Sequence, residues 1–327
     1  MLKTLQAGVN NHSGIGLDIF SDDDLYAIHC ATLEVLCDVG IKVTDPDARK
    51  IFLDNGAFAV KDSQIIKIPS FMVEDSIQSA PSTLLLAGRD PEKDYFIYNR
   101  SIGFTNFGEG VRVVNPHTGK AELSSKKKLA DATRICDALE NITVVERALG
   151  ADDVPVQVQS IHNAEAIFNN TTKHTFIGAN SGYNYKQIIK MAAAVAGGMD
   201  KLRERPTYTP LACPNSPLTM NHDLSEVVIA SAEAGMPINV ISMALAGGTT
   251  PVTLAATLVC HNAEVLSGLI LGQLVRKGTP FVYGSSTTIM DLCTTTAAVG
   301  APELGMLNAG VAKLAQFYGL PSFVAGG

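Results

Sequence analysis

An acid bracketed by glycines, Phe107-Gly108-Glu109-Gly110, is one of few groups in this sequence placed to manage charge at a defined point. A carboxylate there can act as a general acid or offset a cation. The plainer alternative is a solvated acid in a flexible loop. Cys213-Pro214-Asn215-Ser216-Pro217 offers a thiol nucleophile and an amide, although an unpaired cysteine at a strand end is more often buried filler. Tyr283, in Phe281-Val282-Tyr283-Gly284-Ser285-Ser286, either walls an ammonium pocket by cation–π contact or packs in a core. With Asn180, Ser285, Gly326 and Gly327, these residues share one property: each follows or closes a short apolar run. The substrate-binding candidates are therefore Glu109, Asn180, Asn215, Tyr283, Ser285, Gly326 and Gly327.

Familiar catalytic sets are absent from the sequence. The seven histidines fall mainly in helices, loops and strand starts, with no H-x-H or H-E-x-x-H spacing, so no metal site is expected. No phosphate-binding P-loop and no G-x-S-x-G elbow occurs. His261 reads as a satisfied core histidine and Asp291 as a helix N-cap. No nucleophile, acid and base assemble from these residues, so no catalytic residue is assigned within the chain.

The elements that must position the candidates have a clear period. From about residue 101, short apolar strands start near Ile102, Thr143, Thr175, Thr207, Ile238, Phe281 and Ser322. Helices are predicted between them, at about 125–139, 156–169, 185–196, 224–234, 252–276 and 302–318. Intervals of roughly 30 to 40 residues are those of βα crossover units and imply a parallel sheet. Gly235-Met236-Pro237, Gly278-Thr279-Pro280 and Gly319-Leu320-Pro321 repeat one junction, a glycine closing a helix and a proline opening a strand. No strand leads into G-x-G-x-x-G, which disfavours a dinucleotide-binding open sheet. The expected fold is α/β: a TIM-type (βα)8 barrel lacking its last unit, seven strands over residues 101–327, after an N-terminal α+β cap domain of residues 1–100. In that cap, Ser21-Asp22-Asp23-Asp24 is a capping box, Asp45-Pro46 opens a second helix, and Ser70 caps a third. Barrel chemistry lies at the carboxyl ends of the strands, where the candidates fall.

Composition narrows the class. With 46% hydrophobic and 17% charged residues the chain can bury a large core. A net charge of -7 gives no footprint for nucleic acid or an anionic membrane, and Lys126-Lys127-Lys128 reads as a solvated helix turn. Six cysteines without C-x-x-C spacing, and no secretory signal, point to reduced thiols in the cytoplasm. The apolar stretch 252–275 contains His261, Asn262, Glu264 and Gln273, which suits a core helix and not a membrane span.

Several segments, in order, resemble the trimethylamine methyltransferase family of corrinoid-dependent enzymes. They are Asp24 to Leu36 (DLYAIHCATLEVL), Gly88-Arg89-Asp90-Pro91, Cys213 to Leu218, Phe281 to Ser286, Met290-Asp291-Leu292, Gly300-Ala301-Pro302-Glu303 and Leu320 to Gly327. The resemblance covers the whole chain. It implies methyl transfer from trimethylamine to the cobalt(I) of a separate corrinoid protein, giving dimethylamine, with no cofactor bound directly. It also implies pyrrolysine directly after Gly327, so that this chain is the inactive product of termination at an amber codon. The expected partners are a cognate corrinoid protein and a small methylated amine, within a homo-oligomer. A fragment of a quaternary-amine enzyme of glycine betaine type, and a non-catalytic binding protein derived from the barrel, remain as alternatives.

Overall fold

A helix that must turn sharply into a strand needs a left-handed residue, which glycine adopts at least cost. In the computed structural model, which describes residues 19–98 and 101–326, Gly235, Gly278 and Gly319 all take positive φ, at 73°, 85° and 67°. Gly235 and Gly319 stop their helices directly, whereas the helix Leu254–Val275 already ends at an extended Arg276 and Gly278 turns the chain two residues later, before the next strand. The fold is α/β. The described residues divide into two compact units, one holding 85–211 and the other 19–84 with 212–326.

In the first unit the strands Phe104–Thr105, Ile142–Glu146, His174–Gly178 and Tyr208–Ala212 lie side by side, all parallel. The first is shorter and later than its expected start near Ile102. Register fixes what each face carries, because successive side chains alternate. Glu146 lies opposite Phe176, which lies opposite Thr209, so these three share a face. Thr175 and Tyr208 occupy the other face, where the buried Tyr208 ring meets Phe168 and Tyr185 from the helices Gln159–Phe168 and Gly182–Ala196. The strand Ile142–Glu146 thus aims its terminal acid away from the helices.

In the second unit Ile238–Ser242, Phe281–Ser285 and Ser322–Val324 form a parallel ladder. The helix Leu254–Val275 packs on Ile238–Ser242 and on the helices Asp22–Glu34, Ser70–Ser79 and His222–Ala234. Residues 261–273 are buried without a break, so this apolar helix is a core element covered on all sides. Two glycines let it lie close to the sheet: a Cβ on Gly268 would stand 2.8 Å from Val240 Cγ2 and 3.1 Å from Cγ1. Valine is stiff at χ1 and cannot swing clear. Gly268→Ala is expected to destabilise by about 1–3 kcal/mol through overpacking, despite alanine's better helix propensity, as read by urea denaturation.

The amino-terminal segment follows the sequence reading closely. Ser21 and Asp24 form the capping box of Asp22–Glu34, and Asp45 caps Pro46–Asp54. Ser70 does not cap: Pro69 holds that place, and Ser70 is the first helical residue. A small sheet joins Ile41–Val43 to Ile65–Lys67 antiparallel and to Thr219–Met220 parallel. Asp291 is a second departure. It ends the strand Thr288–Asp291, and its carboxylate accepts from Cys293 N and Thr294 Oγ1 in a hairpin turn, where a helix had been expected. An aspartate satisfies free backbone N–H groups in either setting, so the local pattern does not separate them.

Candidate functional site: a carboxylate pair at the strand ends

The loop after Phe104–Thr105 is held along the end of Ile142–Glu146 by backbone and amide bonds. Asn106 Nδ2 donates to Glu146 O at 3.0 Å and its Oδ1 accepts from Glu146 N at 3.0 Å. Glu109 N donates to Arg147 O, and Gly110 N to Ala148 O, at 2.8 and 2.9 Å. Glu109 takes φ 67°, a left-handed conformation unusual for a non-glycine residue, which the flanking bonds fix. Its carboxylate pairs with the Arg147 guanidinium.

This loop closes over Glu146. A Cβ on Gly108 would stand 2.3 Å from Glu146 Oε1 and 2.6 Å from Cδ, so any side chain there would displace the Glu146 carboxyl from this position. A Cβ on Gly178, at the end of the neighbouring strand, would lie 3.7 Å from Glu109 Oε1. Two carboxyl groups therefore lie near the carboxyl ends of adjacent parallel strands, close enough to interact electrostatically. Burial, reinforced by the neighbouring Glu109 charge and opposed by Arg147, pushes the Glu146 carboxyl up to about 7. Near neutral pH it holds a proton part of the time. Thr105 pairs with Val144, on the face that carries Glu146, and its Oγ1 is buried without a hydrogen-bond partner. Deeper on this face, His174 bonds Thr209 Oγ1 and Ala87 O, and burial holds its ring down to about 4, hence neutral.

Such a site suits a small organic cation. Glu109 is exposed with its carboxylate already ion-paired to Arg147; Glu146 is sunk beside them and can ionise when a cation supplies the counter-charge. Among the described residues no group of three or more His, Cys, Asp or Glu side chains could hold a metal ion.

The other candidates are placed as follows. Asn180 is exposed in the turn two residues beyond Gly178, so Glu109 and Asn180 flank the same strand end. In the second unit, Asn215 is exposed; its backbone pairs with Thr219, and its Oδ1 accepts from Asn221 Nδ2 at 2.7 Å. Tyr283 is wholly buried on the helix-facing side of its strand, donating to Asn262 Oδ1 at 2.6 Å, with its ring near His261 and Tyr318. Of its two readings the packing one describes this position. Ser285 is also buried, its Oγ accepting from Thr287 N. Gly326 is exposed, and Gly327 lies outside the described residues. Cys213, expected as filler, is exposed. His261 is buried with Nδ1 near Thr287 Oγ1 and Nε2 unpartnered, and burial holds it down to about 3.

Glu146 and Arg147 escaped the sequence reading. The only sequence signal was their position at the end of Thr143-Val144-Val145, where Glu-Arg is indistinguishable from an ordinary surface pair.

The profile of the family described as trimethylamine methyltransferase (MTTB) matches residues 4–327. The chain belongs to that family. It is 53% identical over 323 residues to the trimethylamine methyltransferase MttB of Desulfitobacterium hafniense, covering 99% of this chain and 65% of that protein. It is 44% identical over 328 residues to MttB of Methanosarcina barkeri, covering 98% of this chain and 66% of that one. A glycine betaine methyltransferase of D. hafniense is 29% identical over 312 residues, covering 95% and 64%. The chain thus spans about two thirds of the length of these family members, slightly less for the first. Among solved structures, the hydroxylamine complex of MtmB matches with TM-score 0.55 and the M. barkeri monomethylamine methyltransferase with 0.54. Each is 13% identical and covers 97% of this chain and 70% of that chain, a likeness of fold.

Proposed function

We propose that this family member transfers a methyl group from trimethylamine to the cobalt(I) of a corrinoid carried by a separate protein, releasing dimethylamine. The observation that carries the choice of substrate is the pairing of Glu109 with Glu146 at the strand ends. On this reading the seven parallel strands are seven units of a (βα)8 barrel, and the pair lies where such barrels place their substrates. The chain's own residues seat and orient the amine. Glu146 supplies an ionisable carboxyl, Glu109 an exposed one ion-paired with Arg147, and Asn180 a polar edge beside them. The corrinoid's cobalt(I) would supply the nucleophile; with the amine bound as its ammonium ion, the C–N electron pair stays on nitrogen and neutral dimethylamine leaves. Binding energy from the seat holds one methyl group in line for displacement.

A simple amine fits this seat better than a betaine. Glycine betaine brings its own carboxylate, which two neighbouring glutamates repel, and the adjacent Arg147 is already paired with Glu109. The greater identity to trimethylamine enzymes than to the betaine enzyme supports the same choice.

The test is a donor comparison on the protein as its own gene expresses it, supplied with reduced corrinoid. Dimethylamine from trimethylamine is expected, at least about tenfold faster than dimethylglycine from glycine betaine, a difference of about 1.4 kcal/mol in the barrier. Faster demethylation of the betaine overturns the assignment.

A further inference from the structure

Glu264 sits in the middle of the helix Leu254–Val275 and is 1% exposed. A buried carboxylate is costly unless its oxygens are satisfied. Here three donors converge on it. Oε2 accepts from Ser216 Oγ at 2.8 Å and Ser242 Oγ at 2.6 Å, and Oε1 accepts from Leu218 N at 2.9 Å. Burial raises its carboxyl and these three bonds oppose the rise, with no cation contributing.

The donors come from two places that a parallel-strand enzyme uses for its substrate. Ser242 closes the strand Ile238–Ser242, and Ser216 and Leu218 belong to the loop that follows Tyr208–Ala212. Leu218 takes φ 46°, a conformation a leucine keeps only when its surroundings impose it. The Leu218 N–H bond to Glu264 and the Lys42 N–H bond to Leu218 O, at 2.9 Å each, impose it from both sides. On the near side of the loop, Asn221 Nδ2 holds Cys213 O and Asn215 Oδ1.

We propose that Glu264 is a positioning residue that holds the loop Cys213–Leu218, which follows the strand Tyr208–Ala212, in the one shape in which the methylated amine binds best. This rests on the function proposed above. Glu264 touches no substrate and acts only through the loop. Packing alone does not require a carboxylate here, since a leucine has nearly the same volume. What leucine lacks is an acceptor for three donors.

The test uses Glu264→Leu, Glu264→Gln and Ser216→Ala in the protein as its gene expresses it, with two readouts. Backbone amide exchange is followed across residues 213–219, and kcat and KM for trimethylamine are measured. Glutamine keeps an acceptor for Leu218 N, and serine hydroxyls can reverse to meet its amide. Glu264→Leu is expected to speed exchange across 213–219 and to raise KM about tenfold or more, with a smaller change in kcat. Glu264→Gln should stay within about threefold of the parent on both readouts, and Ser216→Ala should raise KM by a factor of about 3 to 10. Should Glu264→Leu fail to fold, Ser216→Ala, on the partly exposed loop, carries the test. Faster exchange without a change in KM in either variant overturns the proposal, as does unchanged exchange. Faster exchange in a protein whose parent form never demethylates trimethylamine overturns the functional reading while leaving Glu264's hold on the loop in place.

Discussion

Glu146→Gln should make the protein more stable at pH 8, by about 3 kcal/mol, and the gain should vanish as the pH approaches 4.5. The Glu146 carboxyl is pushed from 4.5 to about 7 by burial and the Glu109 charge. An acid whose folded value is raised binds its proton more tightly folded than unfolded, so stability falls as pH rises between the two values. Above pH 7 the full penalty is present, and about 2.5 units at 1.36 kcal/mol each give the size of the effect. Below pH 4.5 both states are protonated and the substitution gains nothing. Urea denaturation at pH 5, 6, 7 and 8 reads this directly, with parent and variant curves converging toward the acid end. Equal stability at pH 8, or a gain that grows on acidification, would show that Glu146 is not strained. The same variant should bind the amine less well, as expected where a site is held ready at the expense of stability.

Gly108→Ala should damage turnover more than its size suggests. The new Cβ cannot occupy a point 2.3 Å from Glu146 Oε1, so either the carboxyl is driven from its seat or the Asn106–Gly110 loop lifts away from Ile142–Glu146. Either movement separates the two carboxylates. A displacement of about 1 Å at a positioning group can lower the rate by about 100-fold. The expected result is a loss in kcat/KM for trimethylamine of that order, with a destabilisation of about 1–3 kcal/mol. A variant that retains parental kcat/KM would remove the pair from the site.

Local signals were the legible part of this fold. A capping box, a proline after an N-cap aspartate and the Gly-x-Pro junctions at Gly235 and Gly319 each depend on a few adjacent residues, and each lies where the sequence places it, while at Gly278 the helix stops two residues earlier. The core helix was equally plain, because one run of apolar residues carried isolated polar groups that a bilayer would reject. Asp291 and Ser70 show the limit of such signals: a side chain that can cap has the same neighbours in a turn as before a helix. The site was half legible. Glu109 announced itself through its glycines, but Glu146 becomes special only when a loop forty residues earlier folds across it. Glu264 read as one of four polar interruptions in an apolar stretch. Its three donors come from residues 22 to 48 positions away, which no periodicity connects.

The seat itself can be measured by calorimetric titration of trimethylammonium into the protein at pH 7.5, compared with Glu109→Gln/Glu146→Gln. The parent should bind the cation, release a fraction of a proton as Glu146 ionises, and lose affinity as pH falls below 7. The double variant should bind at least about 100-fold more weakly and release no proton, a loss of about 2.7 kcal/mol. Equal affinity in parent and double variant would place the amine elsewhere and contradict the assignment of this carboxylate pair.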